Sequence, residues 1–198
     1  MTHDRIDRAY VGKIRRDILA YAEKRRQIIV LSDDALHHAK RAIFALHRHD
    51  PAEAKKKLME ARERLVGAKR IAKNAHASDE GSYKAAVEEF VEATIFFQFV
   101  TSGYIGRISA IPVSNEQYLA GLCDVPGELL RYAINAATER DMTLVASSAA
   151  MAKDIVGELI ECNLTSYLRT KFDQAKQAVH KLEQIVYETT IRGLEIEN

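Results

Sequence analysis

From about residue 4 to residue 49 the apolar positions recur every three or four residues, and the stretch ILAYAEKRRQIIVLSDDALHHAKRAIFALHRH holds neither proline nor glycine. That spacing predicts one long helix from about Asp4 to His49. At 1.5 Å per residue it would span on the order of 65 Å. This exceeds the diameter of a compact domain of this size, so the helix is expected to project or to pack against other subunits. Pro51, just after Asp50, fits the first position of a second helix running through AEAKKKLMEARERLVGAKRIAKNAH. A polar break, ASDEGS, leads into a third helix from about Tyr83 to Tyr104, and IGRISAIPV reads as a loop. Ser114 and Gln117 have the spacing of a capping box for the fourth helix. A fifth helix is expected over about Thr143 to Cys162, and a sixth over about Ser166 to Arg192, ended by Gly193. No run alternates apolar and polar residues for long enough to form a sheet. Six or so helices with short connections predict an all-α bundle.

The segment DVPGELLRYAIN (124–135) interrupts the fourth helix's pattern with Pro126 and Gly127. Pro126 either starts a new helix, with Asp124 near the capping position, or lies inside a continuous one. A start there would break the polar line from Gln117 through Gly121 to Asp124. It would also leave Ser114 capping a helix of only about two turns. A continuous helix kinked at Pro126 is therefore expected.

At 198 residues the chain fits a single domain, 1–198, able to bury a core without disulfides or a structural metal. Cys123 and Cys162 are too few and too distant for a disulfide framework or a CxxC zinc site, so a reducing, cytoplasmic setting is expected. No apolar run approaches the roughly 20 residues that cross a bilayer, and MTHDRIDRAYVGKIRRD lacks the apolar core of a signal peptide. A soluble protein with no membrane role is the expectation. The near balance of 29 basic and 28 acidic side chains hides an uneven distribution. Residues 1–73 carry 19 Lys and Arg against 10 Asp and Glu, and the remainder carries 10 against 18. Such asymmetry gives either one basic and one acidic surface or simply the solvated faces of long helices.

On a helical wheel, Tyr83, Ala86, Val87, Phe90, Val91, Thr94 and Phe97 form the core stripe of the third helix. The opposite line runs Ala85, Glu89, Glu92, Phe96, Phe99, Gly103. Two phenylalanines there, each able to bury well over roughly 100 Å², imply that this face is also covered, by another helix or subunit. Glu89 and Glu92 would then border a partly enclosed space. If the fourth helix continues through Pro126, Leu122, Val125, Leu129 and Ala133 form its core stripe. Its polar side holds Gln117, Gly121, Asp124, Glu128, Arg131 and Asn135. The four carboxylates either converge or are ordinary solvated pairs. Convergence would require a cation to offset their repulsion, and all-oxygen ligands suit Mg²⁺ or Mn²⁺ better than zinc. Such ions activate water and stabilise the leaving oxygen in phosphodiester cleavage. Asp34, His37 and His38 raise a di-iron carboxylate bundle, which wants Glu-x-x-His on two helices, and the chain has none. Neither a Gly-rich phosphate loop nor a nucleophile elbow is present.

His37, Arg41, Phe44 and Arg48 share one stripe of the first helix, with Lys40 nearby. Cations with an aromatic among them suit a single-stranded backbone and its stacked bases. The same pattern fits a Phe44 buried in a helix interface and bordered by cations. Lys55, Lys56 and Lys57 circle their helix and read as solvated surface.

Four stretches, AKRAIFALHR (39–48), VEEFVEATIFFQF (87–99), YLAGLCDVPGELLRYAIN (118–135) and KLEQIVYETTIRGLEI (181–196), carry a family likeness. Through them the sequence resembles the translin superfamily, and within it the translin-associated factor X branch. The resemblance implies an all-helical fold of about seven helices that assembles into a hollow, roughly octameric particle binding single-stranded RNA or DNA. For the factor X branch it implies a Mg²⁺-dependent endoribonuclease whose acids face the particle's interior. The branch's Glu-x-x-Glu and Asp-x-x-x-Glu pairs fall on Glu89 and Glu92 and on Asp124 and Glu128, a set that translin itself does not keep. Pro126 departs from the family pattern. The extended amino-terminal tail and long internal insertion of the eukaryotic factor X proteins are also missing, so the chain is expected to assemble with itself.

The full expectation is thus an all-α bundle of six to seven helices with a long first helix, closing into a homo-oligomer, an octamer by resemblance. A related translin-like subunit is a second candidate partner. The oligomer would cleave single-stranded RNA, or unpaired regions, with Mg²⁺ or Mn²⁺ held by Glu89, Glu92, Asp124 and Glu128, which are catalytic as well. Lys40, Arg41, Arg48, Arg131 and His37 would contact the RNA. The alternative is a non-catalytic single-stranded RNA- or DNA-binding protein of the translin type.

Overall fold

The computed structural model describes residues 6–75 and 81–196, which form six helices and no strand. Helix α1 (Arg8–His47) begins at Asp7, whose carboxylate accepts a hydrogen bond from the Tyr10 amide. The expected start near Asp4 lies outside the described residues. The helix ends at His47, short of His49, because His49 takes up left-handed backbone (φ 58°). Asp50 then caps α2 (Pro51–Ala75) by accepting from the Glu53 amide at 2.9 Å. The ion pair Asp34–Arg64 (3.4 Å) and the approach of His38 Nδ1 to Glu60 (2.9 Å) register α1 and α2 as an antiparallel hairpin. Forty residues of α1 extend about 60 Å, and α2 covers only part of that length. The first buried residue of α1 is Ile28, and before it Tyr10, Val11, Ile14, Ile18 and Leu19 are exposed. The first helix does project.

Helix α3 (Gly81–Ser102) lies at the centre, in contact with α1, α2 and α4. Both of its stripes are buried: Val87, Phe90 and Val91 on one, Glu92, Phe96 and Phe99 on the other. It stops before the expected Tyr104 because Gly103 turns the chain with φ 68°, a conformation in which a side chain would be strained. Lys40 lies beside Glu89, and the His47 ring lies 5.1 Å from that of Phe96, so α1 and α3 run in the same direction. Gly121 packs on Glu88 and Val91, and Tyr132 on Phe96, so α4 (Asn115–Thr138) is parallel to α3 as well.

Parallel neighbours cannot be joined by a tight turn. The connection 103–114 runs back along the bundle as a long crossover. Gly106 donates its amide to the Gln98 side chain at 2.9 Å, and its carbonyl accepts from the Tyr118 hydroxyl at 3.2 Å. Arg62 of α2 donates to the Ala110 carbonyl at 3.0 Å.

Helix α4 opens on the Ser114–Gln117 capping box and is continuous through Pro126, which is buried. Its apolar stripe, Leu122, Val125, Leu129 and Ala133, is buried as the spacing predicts. Helix α5 (Met142–Ile160) is capped by Asp141 and returns against α4. Helix α6 (Ser166–Ile196) pairs with it through Lys153 and Glu183 at 3.0 Å. It runs past the expected end at Arg192, since a single glycine such as Gly193 costs a helix only about 1 kcal/mol. No helix among the described residues is long and apolar enough to cross a membrane.

Candidate functional site

The acids of α3 and α4 meet where α1 crosses them. A recess of about 370 Å³ is lined by Lys40, Ile43 and Phe44 of α1, Glu89 and Glu92 of α3, and Glu128 and Arg131 of α4. Asp124, one turn before Glu128, sits behind it. The structure therefore brings three of the four acids to one recess and holds the fourth beside it. A larger pocket of about 650 Å³ lies along residues 107–118 and contains none of the four.

Electrostatics tie the four together. Burial pushes the Glu89 carboxyl above its usual range, helped by Asp124 and Glu128 and opposed by Lys40. Glu92 is raised furthest, first by burial and then by Glu89, Asp124 and Glu128. It is only 8% exposed, and among the described residues its carboxylate makes neither an ion pair nor a hydrogen bond. Asp124 is also raised by burial and by Glu128, although Lys171 pulls it down. Each of these groups resists ionisation because like charges have been gathered out of water.

Two of the acids are already engaged. Asp124 accepts a hydrogen bond from the Lys171 ammonium of α6. That ammonium also lies 3.9 Å from Glu88, which in turn accepts from the Tyr167 hydroxyl at 2.7 Å. Asp124 raises the Lys171 pKa against the effect of burial. On the other side, Nε2 of His47 lies 2.5 Å from Glu128 Oε2. The imidazole is enclosed by Phe96 and Tyr132, with ring centroids 5.1 and 6.0 Å away. No three His, Cys, Asp or Glu side chains among the described residues stand close enough to share a metal ion. The chemistry of the donors nonetheless suits a hard divalent cation: oxygen ligands only, in excess negative charge, with Glu92 lacking a counter-charge of its own.

The cations expected to meet nucleic acid are divided. Lys40 and Arg131 line the acidic recess, the former 3.9 Å from Glu89. Phe44 lines it too, yet is 50% exposed, which settles against burial in a helix interface within this chain. The Arg48 guanidinium lies 5.0 Å over the Phe44 ring. Arg41 and His37 are exposed on the same helix and do not line the recess.

Sequence reasoning missed His47, Lys171, Glu88 and Tyr167. His47 lies inside one of the quoted stretches, but a wheel places it toward the core, where histidine is uninformative. Glu88 adjoins Glu89, and only its contact with α6 sets it apart. Nothing local to residues 166–171 signals that Lys171 turns inward.

Comparison with known proteins adds the family context. The sequence pattern of the translin family matches residues 23–193. Translin-associated protein X of Rattus norvegicus is 25% identical over 217 residues, covering 88% of this chain and 75% of that one. Among solved structures, the AfC3PO complex with duplex RNA superposes with a TM-score of 0.85 at 22% identity, covering 93% of this chain and 98% of that chain. Apo-NeC3PO does so with a TM-score of 0.84 at 18% identity, covering 94% and 100%. At these identities the structural likeness speaks for the fold.

Proposed function

This chain belongs to the translin family and resembles its translin-associated protein X members, and from that premise we propose that it is a metal-dependent endoribonuclease. Its substrate in this reading is single-stranded RNA, or unpaired regions of structured RNA, admitted to the interior of a closed cytoplasmic homo-oligomer. The observation that carries the reading is Glu92: a buried carboxylate beside three others, with a cationic and aromatic rim at the mouth of the same recess. A site built only for binding a polyanion would gain nothing from burying negative charge.

Glu89, Glu92, Asp124 and Glu128 would hold Mg²⁺ or Mn²⁺. When bound, the cation supplies charge neutralisation at the phosphate and a more acidic water. The chain's own groups do the positioning: Lys40 and Arg131 draw a phosphate to the recess, and Phe44, braced by Arg48, offers a face on which a base can stack. No side chain needs to form a covalent bond to phosphorus. The presence of duplex RNA in the AfC3PO complex supports RNA as the polymer.

A second reading, a non-catalytic single-stranded RNA- or DNA-binding protein, is favoured by one observation. Asp124 and Glu128 are hydrogen-bonded to Lys171 and His47, so two of the acids have internal partners without a metal. Incubating the purified chain with end-labelled single-stranded RNA and Mg²⁺ or Mn²⁺ separates the two. Cleavage that disappears in Glu89→Ala and Asp124→Ala, with binding retained, supports the nuclease. Binding without cleavage under every divalent metal supports the second reading.

A further inference from the structure

His47 carries an unexplained feature. Its side chain is 2% exposed, and one ring nitrogen, Nδ1, is buried with no hydrogen-bond partner among the described residues. The other, Nε2, meets Glu128 Oε2 at 2.5 Å. The two tautomers are not equivalent in such a place. With hydrogen on Nδ1, an N–H donor would be buried without an acceptor, and buried orphan donors are rarer in folded proteins than under-used acceptors. With hydrogen on Nε2, the donor meets a carboxylate oxygen and only a lone pair is left unmatched. The rings of Phe96 and Tyr132, themselves 5.5 Å apart and edge to face, prevent the imidazole from turning to another partner.

We propose that His47 is a positioning residue for Glu128: its Nε2–H fixes Oε2 and leaves Oε1 as the oxygen available to the acidic recess. This rests on the reading of the four carboxylates as cation ligands. A histidine donating to a ligating carboxylate is the outer-shell arrangement that fixes ligand orientation in metal sites. It also gives a reason for an imidazole in the core of a helix bundle, where a leucine would leave Glu128 Oε2 without this partner. The fixed carboxylate comes from α4 and the donor from α1, so the aim of Glu128 depends on the seating of a helix that contributes no acid of its own to the recess.

Three measurements on the full chain test the assignment. Imidazole nitrogen chemical shifts of the metal-free wild type report the tautomer directly. Hydrogen on Nε2 is expected, and a bare Nε2 with hydrogen on Nδ1 alone overturns the proposal without any variant. Calorimetric Mn²⁺ binding is expected to weaken about 10- to 100-fold in His47→Phe, which keeps a ring and removes the donor. His47→Gln, which restores an N–H, is expected to recover most of that loss. Mn²⁺ affinity unchanged in His47→Phe, or no recovery in His47→Gln, overturns the role. In a Glu128→Ala background His47→Phe should weaken binding by less than threefold, since the carboxylate it positions is gone; a full additional loss there also overturns it. A wild type with no saturable Mn²⁺ binding overturns the cation-ligand reading and this inference together, whereas binding insensitive to His47 overturns this inference alone.

Discussion

Gly121 of α4 lies against Val91 of α3 with no space for a methyl group between them: a Cβ there would come within 2.6 Å of Val91 Cγ1 and 2.7 Å of the Glu88 carbonyl oxygen. The contact sits one turn from Asp124 and beside Glu88 and Glu89, so it sets the distance across which the two acid pairs face each other. Gly121→Ala is expected to force the helices apart and destabilise the fold by about 1–3 kcal/mol, measurable by urea unfolding. RNA cleavage should fall more than tenfold while RNA binding through α1 is retained. An unaltered cleavage rate would show that the spacing of α3 and α4 does not govern the chemistry.

The pH dependence of stability follows from Glu92. Its carboxyl is held well above 4.5 in the folded chain, so the folded state grips this proton more tightly than the unfolded state does. The stability it contributes is complete below about pH 4.5 and is lost as pH rises through the elevated value. Glu89 and Asp124 are shifted in the same direction. Glu92→Gln should therefore melt higher than the wild type near neutral pH, with the difference vanishing toward pH 4. Mg²⁺ should raise the wild-type melting temperature most at the alkaline end. Parallel melting curves for wild type and Glu92→Gln across this range would count against the electrostatic account.

Lys171 is the counter-charge for Asp124 and stands near Glu88, with only 15% of its side chain exposed. Replacing it by methionine keeps the volume and strands two acids. Loss of one member of a fully buried pair costs about 3–5 kcal/mol. Partial exposure of Asp124 reduces the expectation to about 1–3 kcal/mol. Lys171→Met combined with Asp124→Asn should recover part of the loss in a double-mutant cycle of chemical denaturation. Simple additivity would mean that the two groups do not depend on each other.

The α1 rim makes a separate claim about RNA. Phe44→Ala should weaken binding to a single-stranded oligonucleotide by about 1–3 kcal/mol, the usual worth of one stacked base. Arg41→Ala and Arg48→Ala should each lower the slope of log affinity against log salt by close to one unit. Fluorescence anisotropy across a salt series reads both. Equal affinities in all three variants would place the nucleic-acid path elsewhere on the molecule.

Much of this fold was legible because each helix carries its own periodicity and its own end signals. The Ser114–Gln117 box and the burial of Leu122, Val125, Leu129 and Ala133 follow from a single helix considered alone. The lines through Glu89 and Glu92 and through Asp124 and Glu128 were visible for the same reason. What a wheel cannot show is which helix lies across from which. His47 and Glu128 are 81 positions apart, and Lys171 and Asp124 are 47 apart, so their pairing depends on the crossover 103–114 and the seating of α6. The end of α6 was misplaced for a different reason: Gly193 lowers helix propensity without forbidding a helix.

The crossover divides the chain into two pieces, α1–α3 and α4–α6, and the acidic recess is the seam between them. Glu89 and Glu92 belong to the first piece, Asp124 and Glu128 to the second, and neither piece alone contains the recess. His47 with Glu128, and Lys171 with Glu88, are the polar stitches across that seam. Severing the backbone within 103–114 would thus turn the protein into a pair of fragments whose reassociation is resisted by four like charges and promoted by whatever neutralises them. A divalent cation would then act as an adhesive between halves, and the concentration needed to join them would measure the repulsion stored in the intact molecule.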